Sequence, residues 1–136
     1  MKYQTRAGLY KASNVTFNPS TNEAFSYDWW KFVKTIGQLT VFNSYPYSVS
    51  TRRHQYKVKR LLQELGIQIH ADIEAPLGLD RLDTALGHYQ SRLSSLKGAM
   101  IKPRIRQATK DKIEADIVAC KSKIKQVNNL MKMKGA

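Results

Sequence analysis

Apolar and polar positions along the chain change period twice, and those changes mark out the elements. Val15-Thr16-Phe17 is a short strand candidate, and Asn18-Pro19-Ser20-Thr21-Asn22 behind it is dense in turn formers. From Ala24 to Val33 the chain alternates, with Phe25, Tyr27 and Trp29 on one side. Trp30 and Phe32 fall on the other side, unless a bulge at the tryptophan pair resets the register. Gly37 marks a turn, and Leu39-Thr40-Val41-Phe42 makes a third strand. Trp29 to Ile36 also fits a short helix capped by Asp28, but its aromatic content favours strand.

Past Tyr47 the period becomes helical. Ser50 is the predicted N-cap of a helix whose apolar stripe is Val58, Leu61, Leu62 and Leu65, and Gly66 stops it. Ile67, Ile69, Ala71 and Ile73 then alternate with Gln68, His70, Asp72 and Glu74, which predicts a half-buried strand with each set on its own face, closed by Ala75-Pro76. Leu79, Leu82, Leu86, Tyr89, Leu93, Leu96 and Met100 recur in steps of three and four, as do Ile113, Ile117, Cys120, Ile124, Val127 and Met131. Lys102-Pro103 breaks the chain between them, because proline lacks an amide hydrogen and disfavours a helical predecessor. Two such stripes with a tight connection predict an antiparallel helical hairpin. Its second helix, at ~30 residues and ~45 Å, is long enough to project beyond the sheet.

The order β-β-β-α-β-α-α predicts an α+β fold. Residues 1–76 form a small antiparallel aromatic-rich sheet with one helix, and residues 77–136 a long C-terminal helical hairpin packed on it or projecting from it. Eleven of the thirteen aromatic residues precede position 48, so the large side chains belong to the sheet. No apolar run approaches the ~20 residues of a membrane span, and Met1 to Arg6 lack a leader's apolar stretch. Cys120 is the one cysteine, which leaves no intramolecular disulfide and points to a reducing cytoplasm.

Charge changes the picture most. The chain carries a formal net charge of +13, unevenly spread: +3 over residues 1–50, +4 over 51–70, −1 over 71–97 and +7 over 98–136. Such an excess attracts anionic partners at long range, nucleic acid first among them. With Val58 facing the core, Arg52, Arg53, Lys59 and Arg60 fall on the opposite side of the first helix with Tyr56 among them, a basic face suited to phosphates. On the last helix Lys110, Lys121, Lys125 and Lys132 line one border of the apolar stripe, and Lys112, Lys123 and Lys134 line the other. Lysine is a point charge without bidentate geometry, so that surface supplies affinity and not sequence reading. Among the sheet aromatics, a strand without a bulge turns either Trp29 or Trp30 outward, where it is a base-stacking candidate.

The signatures of catalysis are missing from the sequence. Gly78, Gly87 and Gly98 stand alone, without the glycine-lysine-serine/threonine ending of a phosphate-binding loop. His70, Asp72 and Glu74 share one predicted strand face and are the weak candidates for a metal site, although polar alternation on any half-buried strand produces such sets. His54 near Ser50 and Thr51 lacks a carboxylate close by in sequence and is expected to border the helix core, and Cys120 is expected to be an inert buried thiol. No cofactor is implied.

The stretch from Val41 to Gln55, continuing through Leu61-Leu62-Gln63-Glu64-Leu65-Gly66-Ile67, resembles small uncharacterised proteins of tailed bacteriophages. The resemblance covers about a third of the chain and carries over no site residues. It implies expression in a bacterial cytoplasm and a role in handling phage nucleic acid or disabling a host factor. Taken together, the sequence leads us to expect a non-catalytic, weakly sequence-specific binder of DNA or RNA. The alternative is a small viral protein-binding module, an inhibitor or accessory subunit, whose hairpin grips an acidic host or virion protein.

Overall fold

Six strands lie side by side in chain order in the computed structural model, which describes residues 10–12, 14–27 and 29–135. β1 (Tyr10–Ala12), β2 (Val15–Asn18), β3 (Glu23–Ser26), β4 (Trp30–Ile36) and β5 (Leu39–Asn43) form an antiparallel meander. After α1 (Val49–Glu64), β6 (Ala71–Ile73) pairs parallel to β5. α2 (Leu82–Met100) and α3 (Gln107–Gly135) then form the expected hairpin, and the fold is α+β. Met1 to Arg6 and Asp28, the cap of the rival helix, lie outside the described residues. No described helix is long and apolar enough to cross a membrane.

The aromatic segment from Ala24 to Val33 is two strands and not one. Tyr27 sits at φ 56° in the turn between β3 and β4, and its amide donates to Asn14 O at 2.7 Å at the end of the β2–β3 pairing. The rival helix over Trp29 to Ile36 does not form; these residues are β4 and the turn before it. Ala24 pairs with Val33 but Phe25 pairs with Lys31, so β4 carries one extra residue there. That bulge puts Trp30 and Val33 on the same face, opposite Ser26 and Ala24.

Each face of the sheet is covered by different helices. Val15, Phe17, Ala24, Trp30, Val33 and Phe42 form one buried cluster with Val58, Leu61 and Leu62 of α1. Ile36, Val41, Ala71 and Ile73 form another with Leu82, Ala85 and Tyr89 of α2 and Cys120, Val127 and Leu130 of α3. Val41 and Phe42 are consecutive in one strand, and consecutive strand residues point to opposite faces. Helix α1 and the hairpin are therefore on opposite sides of the sheet.

Local chemistry sets the boundaries. Ser48, not Ser50, caps α1, its hydroxyl accepting the Thr51 amide at 3.1 Å. Leu65, expected in the apolar stripe, is the exposed C-cap. The strand expected from Ile67 to Glu74 is regular only over Ala71–Ile73, and its apolar residues do not share one face. Ile67 and Ile69 pack on the α1 side, whereas Ala71 and Ile73 face the hairpin, because the chain passes from one layer to the other. Buried Asn43 clamps this passage: its side chain donates to Ala75 O at 2.9 Å and accepts the amides of Ala75 and Tyr45 at 2.9 and 3.1 Å. Gly78, at φ 91°, lies where a Cβ would come 3.1 Å from the Lys31 backbone, so a side chain there would strain the turn and crowd β4.

The hairpin is half docked and half projecting. α3 has 29 residues, about 43 Å at 1.5 Å per residue. Its buried side chains, Cys120, Val127 and Leu130, run from its middle to its C-terminal end, and those of α2, Leu82, Ala85 and Tyr89, are all in its N-terminal part. Leu130, one residue before the Met131 of the predicted stripe, is the buried residue there. Toward the far ends of both helices, Leu93, Leu96, Ile113 and Ile117 are only half-buried, with Leu93 and Leu96 packed against the margin of the hairpin-side core.

Candidate nucleic-acid interface

Polar contacts to the sheet fix the rotation of α1. Ser26 Oγ lies 2.7 Å from His54 Nδ1 and 3.3 Å from Thr51 Oγ1, all three residues buried. Gln55 Nε2 donates to Asn43 O at 2.7 Å and Tyr45 O at 3.0 Å. His54 thus faces Ser26 beneath the helix and not Ser50. With Thr51, His54, Gln55, Val58 and Leu62 held inward, the opposite side of the helix is basic. Arg52, Arg53, Lys57 and Arg60 are exposed there, and Tyr56, 65% exposed, stands among them with the Arg60 guanidinium 6.0 Å from its ring centre. Lys59 differs from its neighbours: it leans to the sheet edge, 5.3 Å over the Phe42 ring and 3.9 Å from Asp72.

The two lysine borders of α3 have separate fates. Lys123 donates to Asp72 O and Lys134 to Asp80 O, so they tie the hairpin to the sheet side. Lys121, Lys125 and Lys132 are exposed and Lys110 is half-buried, on the border turned away from the sheet. The helix connection adds Lys102, Arg104 and Arg106, all exposed, with Arg104 at φ 64°.

Several carboxylates are engaged by cations away from the outer face of α1. Buried Lys31 is held by Glu23 at 2.7 Å and Asp80 at 3.0 Å, and Lys34 reaches Asp80 at 2.6 Å. Burial alone would lower the Lys31 pKa, yet its hydrogen bonds to Glu23 and Asp80 hold it above the ordinary lysine value. Burial would likewise raise Asp80, but Lys34 and Lys31 keep it below the ordinary carboxylate value. Glu74 pairs with Arg92 at 3.1 Å and with His88 at 3.6 Å, and Asp83 with Arg81 at 3.0 Å. Among the described residues, no ion pair involves Arg52, Arg53 or Lys57.

The tryptophan pair separates cleanly. Trp30 is 1% exposed and its indole donates to Pro76 O at 3.0 Å, so it is a core residue and no stacking candidate. Trp29 is 53% exposed and meets Tyr47 edge-on at 5.6 Å. His70, Asp72 and Glu74 do not converge: His70 Nδ1 accepts the Thr40 amide at 2.9 Å, Asp72 faces Lys59 and Glu74 faces Arg92. No group of three metal-ligating side chains comes together among the described residues. A cavity of about 390 Å³ between the hairpin and the end of β6 is lined by Glu74, Tyr89, Arg92, Asp116, Cys120 and Lys123. Burial pushes the Cys120 thiol up, and its Sγ lies 3.0 Å from Tyr89 O.

Comparison with protein-family models, curated proteins and solved structures finds no match to this chain. The chemistry of the exposed surface therefore carries the functional reading. That surface includes residues the sequence pattern did not single out: Lys57, on the side of α1 shared with Arg53, and the basic connection Lys102, Arg104 and Arg106. Helical periodicity marks borders of a stripe, and a six-residue connection has none. The local charge count was the available signal.

Proposed function

We propose that this chain is a non-catalytic nucleic-acid-binding protein that holds its partner mainly by charge, with little sequence specificity. The observation that carries the reading is the outer face of α1. Arg52, Arg53, Lys57 and Arg60 stand exposed on it around Tyr56, while Glu23, Asp80 and Glu74 are engaged with cations elsewhere. Arginine presents a planar fork that suits phosphate oxygens, and the helix holds these side chains in a row along a backbone. The lysines of α3 and the cations of the hairpin connection add a second basic surface. In a phage context the partner is phage or host nucleic acid in the bacterial cytoplasm.

A non-catalytic role agrees with the candidate nucleophiles. Ser26 beside His54 has the distance of a nucleophile and its base, but it is fully buried beneath α1, where no substrate reaches it. Cys120 is buried with its thiol pKa raised. Fluorescence anisotropy of labelled DNA and RNA oligonucleotides tests the reading: micromolar or tighter binding at low salt is expected, and its absence for both polymers rejects it. A second reading, a module gripping an acidic protein, draws on Ile101 and Val118, 84% and 68% exposed on the hairpin among its cations. A partner retained from bacterial lysate after nuclease treatment, and lost on Val118→Asp, favours that reading.

A further inference from the structure

Beside the basic face of α1 lies a group of large aromatic side chains that the core does not use. Tyr27, Trp29 and Tyr47 are 42%, 53% and 48% exposed, in a domain that buries Phe17, Trp30, Phe32 and Phe42 almost completely. They come from two places in the chain, the β3–β4 turn and the segment before α1, and the fold brings them together.

Resting on the nucleic-acid reading above, we infer that this aromatic group is a base-stacking platform and that the partner is single-stranded. The rings are held and not loose. Trp29 meets Tyr47 edge-on, with centroids 5.6 Å apart and planes at 79°, and Tyr47 in turn leans on the buried Trp30 at 5.8 Å. Tyr27 lies 5.4 Å from the ring of His54. Its backbone is at φ 56°, a region that disfavours a bulky side chain and that glycine enters without cost. A tyrosine held there against that preference, with its ring partly in solvent, points to a role outside folding.

Cations stand on the outer face of the same end of α1 whose inner face meets the β3–β4 turn. Ser26, the residue before Tyr27, contacts Thr51 and His54 of α1, and Arg52 and Arg53 are the two residues between them. Phosphates on those arginines set the bases of a single strand over the aromatic rings. A duplex keeps its base faces stacked on one another and offers an exposed ring none of them. Every base has a π-face, so this surface accepts DNA and RNA alike and agrees with weak sequence specificity.

The chain has two tryptophans, one exposed and one buried, so its own fluorescence reports on the platform. Titrating the protein with oligo-dT, oligo-rU and a duplex of equal length should quench Trp29 emission with the single strands and bind the duplex more weakly. Trp29→Ala should abolish the quench and weaken single-strand binding about five- to hundredfold. Tyr27→Gly relieves the turn, so it should keep or raise the melting temperature while also weakening binding. Thermal melts of both variants verify folding. Salt-sensitive binding that is equal for single strand and duplex and indifferent to Trp29→Ala overturns the platform while leaving the electrostatic reading intact. Failure of every polymer to bind overturns both, and capture of a protein partner through Trp29 in that case reassigns the surface to protein recognition.

Discussion

Tyr89 joins three parts of the molecule, two through its side chain and one through its backbone carbonyl. Its hydroxyl accepts the Glu74 amide at 2.8 Å, its ring packs in the hairpin-side core, and its carbonyl lies 3.0 Å from the thiol of Cys120. Burial pushes its phenol well above the ordinary tyrosine pKa, so it stays neutral over the working range. Tyr89→Phe keeps the packing and strands the Glu74 amide, which should cost about 1–3 kcal/mol in urea unfolding. An unchanged midpoint would mean that water replaces the hydroxyl. Asp80 gives a prediction with a sign. Its folded pKa is below the ordinary 3.8, so its ionised form stabilises the fold above pH ~4 and that contribution is lost as the pH falls through the folded value. Its carboxylate is half exposed, so Asp80→Asn should cost no more than about 1 kcal/mol at pH 7. The gap in urea midpoint between the wild type and this variant should narrow as the pH falls below 4 and close once the pH is under the folded value. A gap that persists there assigns Asp80 a role other than its charge.

At the scale of elements, the hairpin divides into a docked half and a free half. Leu130 is 1% exposed and touches the sheet-side core, so Leu130→Ala should destabilise the whole fold by about 2–5 kcal/mol. Ile113 is half-buried in the far part of the hairpin and belongs to neither buried core cluster, so Ile113→Ala should loosen amide exchange there and leave the sheet's exchange unchanged. Global loss of protection from Ile113→Ala would show that the hairpin is one cooperative unit with the sheet. This division was only partly legible in the sequence. The heptad-like stripes and Lys102-Pro103 located both helices, because period and proline are local signals. Where each stripe meets the sheet depends on contacts distant in sequence, and Leu130 in place of Met131 is decided by those. The β3–β4 turn was hidden for a similar reason. Tyr27 adopts a left-handed conformation that turn-former statistics assign to glycine or asparagine, so the alternation read through it as one strand. On the candidate site, the arginine face of α1 followed from angle arithmetic alone, whereas which tryptophan faces solvent needed the bulge and the turn.

Over the whole molecule, the +13 charge resolves into surfaces that the sheet keeps apart. α1 covers one face and the hairpin the other, so the arginines of α1 and the outer lysines of α3 point to different sides. One straight segment of nucleic acid cannot rest on both, and a strand that engages both must wrap the edge of the sheet or bridge two molecules. The lysines nearest the sheet, Lys123 and Lys134, are spent on backbone carbonyls and contribute to assembly of the hairpin instead. Arginine and lysine surfaces should therefore act separately in binding. The direct measurement is the salt dependence of single-strand affinity for the wild type, for Arg52→Gln/Arg53→Gln/Arg60→Gln, and for Lys121→Gln/Lys125→Gln/Lys132→Gln. The wild type should show log affinity falling linearly with log salt, and the arginine variant should lose about two from that slope at roughly 0.7 per phosphate contact. No binding at low salt, or an arginine variant with the full slope and affinity, would contradict α1 as the nucleic-acid surface.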